Sequence, residues 1–391
     1  MQDFQPVQLD KYDVIRRLAV GGMGEIFLAR QTGVAGIGRF VIVKTLLPSL
    51  VEDETLIAQF LDEARVAATL NHPNIVGILE VGEWEGTYFI AMEYIRGVDL
   101  DGLLRQSVKQ CVPVPARVAV QIIRDAATGL DAAHHAVDDA GAPLNLVHRD
   151  ISPHNIMVRQ DGVVKVVDFG IARSANRMNR TQDNVVKGRL RYMSPEQIHG
   201  LPLDARSDQF GLGVVLWELV ARRPLFRGSN VVEVAAQVDL APIPPLARVV
   251  PGTPPALDQI IGRALHRDAS ARYSRLAEMA QDLASLLGAT GGSADLEVRA
   301  LVKQLAGETI DERTRDTTSS SGQTRAPSGS RCLHCAAPQT PGARFCSSCG
   351  ARASSSGMPI LQFPMQPREE APATSDAAGV VPPKTVDEPP R

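Results

Sequence analysis

The run His148-Arg149-Asp150-Ile151-Ser152-Pro153-His154-Asn155 is followed, thirteen residues after its asparagine, by Asp168-Phe169-Gly170. Asp150 can accept a hydrogen bond from a substrate hydroxyl and orient it for in-line attack, and Asn155 can bind a metal from the same loop. Ile156 to Val167 reads as a short β-like segment interrupted at Asp161-Gly162, a hairpin signal. Across that hairpin Asp168 supplies a carboxylate, the oxygen ligand that a hard cation such as Mg²⁺ takes. The two motifs in this order are far more specific than either one alone.

Upstream of this run the chain is strand-rich. Ile26 to Ala29, Phe40 to Thr45, Ile75 to Val81 and Thr87 to Glu93 are short β-branched or aromatic runs. Thr55 to Leu70 breaks that pattern, with Leu56, Phe60, Leu61, Ala64 and Ala67 at helical spacing. Gly21-Gly22-Met23-Gly24 follows Leu18-Ala19-Val20 and precedes Glu25-Ile26. Taken alone such a cluster reads as a hairpin turn, but its backbone N–H groups can also approach phosphate oxygens. Lys44 closes the apolar run Val41-Ile42-Val43. It is either a surface lysine at a strand end or a cation aimed into a cleft, where Glu63 on the following helix is a fitting partner. The order of glycine turn, strand lysine and helix glutamate favours the second reading. From Leu100 to Leu287 the pattern is helical, with Ala116 to His135 and Ser207 to Val220 the longest apolar-rich stretches. A strand-rich half followed by a helix-rich half predicts an α+β chain of two lobes.

With these motifs in sequence order, residues 12–287 resemble a bacterial eukaryotic-like (Hanks-type) serine/threonine protein kinase domain. Ser194-Pro195-Glu196 resembles the family's A-P-E segment, with Arg272 at the place of that glutamate's partner. Asp208 resembles the aspartate that braces the catalytic loop, and Met92 the gatekeeper before a hinge of Glu93, Tyr94 and Ile95 for adenine. The resemblance implies a bilobal kinase fold with ATP and Mg²⁺ (or Mn²⁺) between a β-rich and a helical lobe. It implies Lys44, paired to Glu63, on the α- and β-phosphates, Leu18 to Ile26 over the nucleotide, and Asp168 and Asn155 on the metal. Asp150 would orient the hydroxyl of a protein substrate. Glu196, Arg272 and Asp208 are expected to brace the fold without touching the chemistry.

The chain departs from this pattern in places. Ala19 stands where the first loop glycine is usual. Ser152 stands where serine/threonine members usually carry lysine, and Arg189 follows Gly188 where they usually carry threonine. In the family that lysine, threonine and aspartate share one network at the γ-phosphate. Either Arg189 resupplies the missing charge, or it faces solvent and recognises substrate. These departures also leave open a pseudokinase scaffold that binds partners through its lobes. Ser174, Thr181 and Tyr192 are the hydroxyls between Gly170 and Ser194. Thr181 is expected to be the main phosphorylation switch and Ser174 the second, with Arg149 pairing the phosphate.

Composition sets outer limits. The chain has 391 residues, 44% hydrophobic and 22% charged, with a net charge of -3, so no global field points to nucleic acid or membrane. No run of about 18 apolar residues is present, which predicts no transmembrane helix and no membrane insertion. The polar start of the chain does not read as a signal peptide, so a cytoplasmic protein is expected. Residues 288–330 read as a helix over Asp295 to Leu305 and then a linker of small polar residues from Thr317. Cys332, Cys335, Cys346 and Cys349 form C-x₂-C-x₁₀-C-x₂-C, whose thiolates can close a tetrahedral shell around structural Zn²⁺. Residues 331–351 thus resemble a small zinc ribbon. Its only basic neighbours are Arg331, Arg344 and Arg352, too few to track phosphates, which favours a protein partner over nucleic acid. Residues 352–391, with eight prolines, read as a disordered tail.

Overall fold

Alternation along the early strands decides the first lobe. β1 (Gln8–Leu9), β2 (Tyr12–Val20), β3 (Gly24–Thr32), β4 (Gly38–Leu46), β5 (Ile78–Trp84) and β6 (Thr87–Glu93) make one antiparallel sheet, ordered β1-β2-β3-β4-β6-β5. These strands come from a computed structural model that describes residues 8–21, 24–32, 38–169 and 188–319. In β4, Val41 and Val43 bury one face against Tyr12, Val14, Phe89 and Ala91. Ile42 and Lys44 fall on the opposite face, as a period of two requires. There Ile42 packs with Phe60 and Ala64 of α1 (Glu54–Thr69), the helix expected over Thr55 to Leu70. Asp53 caps α1 by accepting hydrogen bonds from the N–H groups of Thr55 (3.0 Å) and Leu56 (3.2 Å).

After β6 the chain crosses to a second, three-stranded sheet, β7 (Gly97–Asp99), β8 (Ile156–Arg159) and β9 (Val164–Val166), in that order. Two residues of the β5 approach stitch the sheets together. Val76 N–H donates to Val166 O (2.9 Å), and Val166 N–H donates to Asn74 O (2.8 Å). The β8–β9 turn places Gly162 at φ +94, and a Cβ there would lie 3.1 Å from Asp295 O. Only glycine meets both demands.

The second lobe is helical: α2 (Leu100–Lys109), α3 (Ala116–His134), α4 (Ala205–Ala221), α5 (Val231–Leu240), α6 (Pro255–Ala264), α7 (Leu276–Thr290) and α8 (Ala294–Ser319). Every residue of α4 from Ser207 to Val220 is buried, so it forms the axis of this lobe. The last helix runs past the expected end at Leu305, to Ser319. Its buried stripe, Val298, Leu301, Val302 and Leu305, continues through Ala306 and Ile310. Beyond the stripe Arg96 donates to Asp311 at 3.1 Å. Thr317 to Ser319, expected in the linker, are therefore helical. The chain divides into two compact units, Met1–Gln323 and Thr324–Arg391, and all described residues belong to the first. No described helix is long and apolar enough to cross a membrane.

Candidate active site

The loop from His148 to Asn155 is built on one buried carboxylate. Asp208, on α4, accepts hydrogen bonds from the backbone N–H groups of His148 (2.8 Å) and Arg149 (2.9 Å), and its Oδ2 pairs with His134 Nε2 (2.8 Å). Burial works to raise the Asp208 pKa, but the bonds and fields of His134 and His148 hold it below the usual carboxylate range. His148 is fully buried; its Nε2 lies 3.0 Å from Val167 O, and its ring rests on Phe169 with centroids 4.7 Å apart. Arg149 (φ +65) and Asp168 (φ +57) both occupy the left-handed region. Non-glycine residues held there mark strain that the surrounding bonds sustain, a pattern typical of functional sites.

On this frame the polar groups converge. Asn155 Nδ2 donates to Asp150 O (2.7 Å) and to Asp150 Oδ2 (3.1 Å). Arg189 Nη1 donates to the same Oδ2 at 3.2 Å. Val167 N–H donates to Asn155 O (3.0 Å), which sets Asp168 beside the loop. Lys44 Nζ reaches Asp168 Oδ1 at 3.5 Å. A strand of the first lobe and a loop of the second thus meet in an ion pair. With its nitrogen turned to Asp150, the Asn155 amide presents oxygen elsewhere, and Asp168 offers a half-buried carboxylate. Both suit a hard divalent cation.

The other sequence-predicted residues surround this centre. Gly21 N–H donates to Gly24 O (2.8 Å), closing the glycine turn, and Leu18 and Val20 leave apolar side chains exposed above it. A Cβ on Gly24 would lie 2.1 Å from Thr45 O, so close strand approach also requires that glycine. Gly22 and Met23 lie outside the described residues. Glu63 sits on α1, and its side chain is likewise outside them. Met92 and Ile95 are buried in the cluster shared with α1. Glu93 turns its carboxylate inward, accepting from Gly77 N–H (2.8 Å) and from Lys165 Nζ. Glu93 Oε1 is thus committed to these two donors.

Glu196 and Arg272 form the bidentate pair expected of them, at 2.7 and 2.9 Å. Tyr192 donates to Glu218 Oε2 at 2.7 Å. Burial, then that carboxylate, push the phenol pKa far up, and burial raises Glu218 as well. This hydroxyl is committed to packing. Ser174, Thr181 and the four clustered cysteines lie outside the described residues. Two site contacts escaped the sequence. Lys165 bridges Glu93 and Ile75 O (3.1 Å), and Gln197 Nε2 donates to Arg149 O (2.8 Å). The chain has only seven lysines, and Lys165 interrupts an apolar run, which was the one available signal for the first. The second had none.

A family model described as "Protein kinase domain" matches residues 12–284. A tyrosine-protein kinase, MasK of Myxococcus xanthus, is 40% identical over 306 residues, covering 78% of this chain and 47% of that protein. The serine/threonine-protein kinase PknB of Mycolicibacterium smegmatis is 40% identical over 281 residues, covering 70% and 42%. The chain spans about half the length of the curated relatives it matches. Among solved structures, the crystal structure of the Mycobacterium tuberculosis PknI kinase domain superposes with a TM-score of 0.53 at 28% identity. That match covers 73% of this chain and 99% of the PknI domain.

Proposed function

Because the chain belongs to the protein kinase family, we propose that it transfers the γ-phosphoryl group of ATP to serine and threonine hydroxyls of other proteins and of itself. Membership implies ATP with Mg²⁺ or Mn²⁺, and the ion, when bound, neutralises charge on the phosphates. Asp168 and Asn155 are the residues that would hold it. Lys44 would hold the α- and β-phosphates, Leu18 to Ile26 would cover the nucleotide, and the main chain of Glu93 and Ile95 would receive adenine. Asp150 would fix the acceptor hydroxyl. The observation that carries this reading is the convergence of Lys44 on Asp168 (3.5 Å) and of Asn155 on Asp150 (3.1 Å) at the junction of two lobes.

The test is incubation of the full chain with labelled ATP and Mg²⁺, alongside Asp150→Ala. Incorporation should fall by about two orders of magnitude or more in the variant. Equal incorporation defeats the reading. No incorporation by either protein supports a scaffold that binds partners without chemistry. A tyrosine acceptor is a second reading, carried by Ser152 in place of the lysine usual in serine/threonine members. MasK, a tyrosine-protein kinase at 40% identity, is consistent with it. Phosphoamino-acid analysis of the product decides between the two.

Thr181, then Ser174, is our proposed switch. Its support is Arg149, whose buried Nε has no hydrogen-bond partner among the described residues. Cys332, Cys335, Cys346 and Cys349 are proposed to hold a structural Zn²⁺ in a protein-binding ribbon, on the strength of their spacing. Metal analysis should find one zinc per chain, lost in Cys332→Ser/Cys335→Ser. Use of ATP supports a cytoplasmic site of action.

A further inference from the structure

We propose that Arg189 supplies, from the far side of the site, the cation that stabilises the transferring phosphoryl group, in place of a lysine at Ser152. The inference rests on the kinase reading and assigns a transfer-specific positioning role within it. Two carboxylates face the site, and each has its own cation: Lys44 on Asp168 at 3.5 Å and Arg189 on Asp150 at 3.2 Å. Lys44 is thus at the nucleotide end and Arg189 at the acceptor end. Ser152 is 4% exposed, so this position in the loop holds a small neutral side chain facing packed protein. The positive charge its place lacks stands instead on Arg189, against the same aspartate.

The geometry is held from the C-terminal side of the arginine. Leu190, next in the chain, is 2% exposed and anchors the segment. Arg189 O accepts from Tyr192 N–H (3.0 Å), and Leu190 O accepts from Met193 N–H (3.2 Å). Ser194 then caps a helical turn whose Gln197 donates to Arg149 O (2.8 Å), tying this segment to the catalytic loop. A pre-positioned donor costs little reorganisation when charge develops. In the transfer, the acceptor hydroxyl oxygen, held by Asp150, forms a bond to the γ-phosphorus. The bond from phosphorus to the β,γ-bridging oxygen breaks, and its electron pair leaves with ADP. The hydroxyl proton passes to Asp150. A guanidinium beside Asp150 lies next to the attacking oxygen, where the equatorial phosphoryl oxygens carry charge. Unlike lysine, arginine keeps its charge at any working pH.

The test compares wild type, Arg189→Gln, Arg189→Lys and Arg189→Gln/Ser152→Lys in the full chain. Myelin basic protein serves as the phosphate acceptor and mant-ATP as the binding probe. Gln can keep a hydrogen bond to Asp150 but carries no charge. R189Q should lose about 100-fold in kcat, with mant-ATP affinity unchanged within about threefold. R189K should lose less than about tenfold, and S152K should recover about tenfold in the R189Q background. The idea is overturned if R189Q turns over normally, if only the acceptor KM rises, or if neither lysine variant restores kcat. It is equally overturned if R189Q no longer binds mant-ATP, since Arg189 would then be a packing residue. Asp150→Ala in the same assay keeps the two readings apart. Turnover that survives D150A defeats the kinase reading, whereas turnover lost in D150A but kept in R189Q defeats only this inference.

Discussion

Glu196 shows what a single side chain does for this fold. Both of its oxygens accept from Arg272, whose side chain is fully buried, and Ser207 Oγ adds a bond of 2.8 Å. Burial would raise the Glu196 pKa, yet the arginine and serine bonds bring it below its ordinary value. A depressed folded-state pKa means that the stabilisation is present above the unfolded value, near pH 4, and is lost as pH falls through the folded one. Glu196→Gln should therefore cost about 3 kcal/mol at pH 7, because it strands a buried guanidinium. Urea denaturation at pH 7 and at about pH 3 should show that gap narrowing in acid. A constant gap would mean that the carboxylate charge is not what matters. At this scale the sequence was informative about which residues meet when they are close along the chain, as for Asp150 and Asn155, and for Asp168 across one hairpin. Arg189 was legible only as a departure from a pattern, and its partner had to come from the fold.

Among the elements, α8 differs most from its expectation. Its sequence resembles a weak amphipathic helix followed by polar residues, and nothing local marks where it must stop. Packing decides: the stripe from Val298 to Ile310 lies against the helical lobe, and Gln110 Nε2 donates to Leu305 O at 3.1 Å. The helix also backs the β8–β9 turn at Gly162 and meets Arg96, which directly follows Ile95. α8 is thus an integral part of the lobe. Leu305→Ala should cost about 2–4 kcal/mol in urea denaturation, the range for a buried leucine. Ending the chain at Ser293 should lower the thermal midpoint further than that single change. If the truncated chain melts like the full one, α8 contributes nothing to this unit. Whereas β1, β2 and β7 had no expected bounds of their own, β3 to β6 and α1 fall within a few residues of theirs. Their periods of 2 and 3.6 are written in consecutive residues.

At the scale of the whole kinase unit, the lobes are joined by main-chain bonds between Asn74-Ile75-Val76 and β9, and by the ion pairs Lys44–Asp168 and Lys165–Glu93. Lys165 rises from β9 to Glu93 at the end of β6, with 10% and 29% of the two side chains exposed. Lys165→Met should cost about 2 kcal/mol, less than a fully buried pair because Glu93 keeps some water. The double change Lys165→Met/Glu93→Leu should recover most of that loss, since it leaves no charge unpaired. Equal instability of single and double variants, in the same urea titration, would mean that packing rather than charge joins the lobes here.

The sequence by itself determined the two-lobed class, a strand-rich half with one helix ahead of a helix-rich half, and the spacing of the loop residues around Asp150. Each of these depends on spacing within a few consecutive residues, where backbone geometry fixes which side chains share a face. Only the tertiary structure decided that Lys165 meets Glu93, that Arg189 meets Asp150, and how far α8 runs. Those partners are set by sheet register and helix packing between distant segments, and no local period encodes them. The loop from His148 to Asn155 is legible in eight consecutive residues; the guanidinium of Arg189 is brought to Asp150 by the fold.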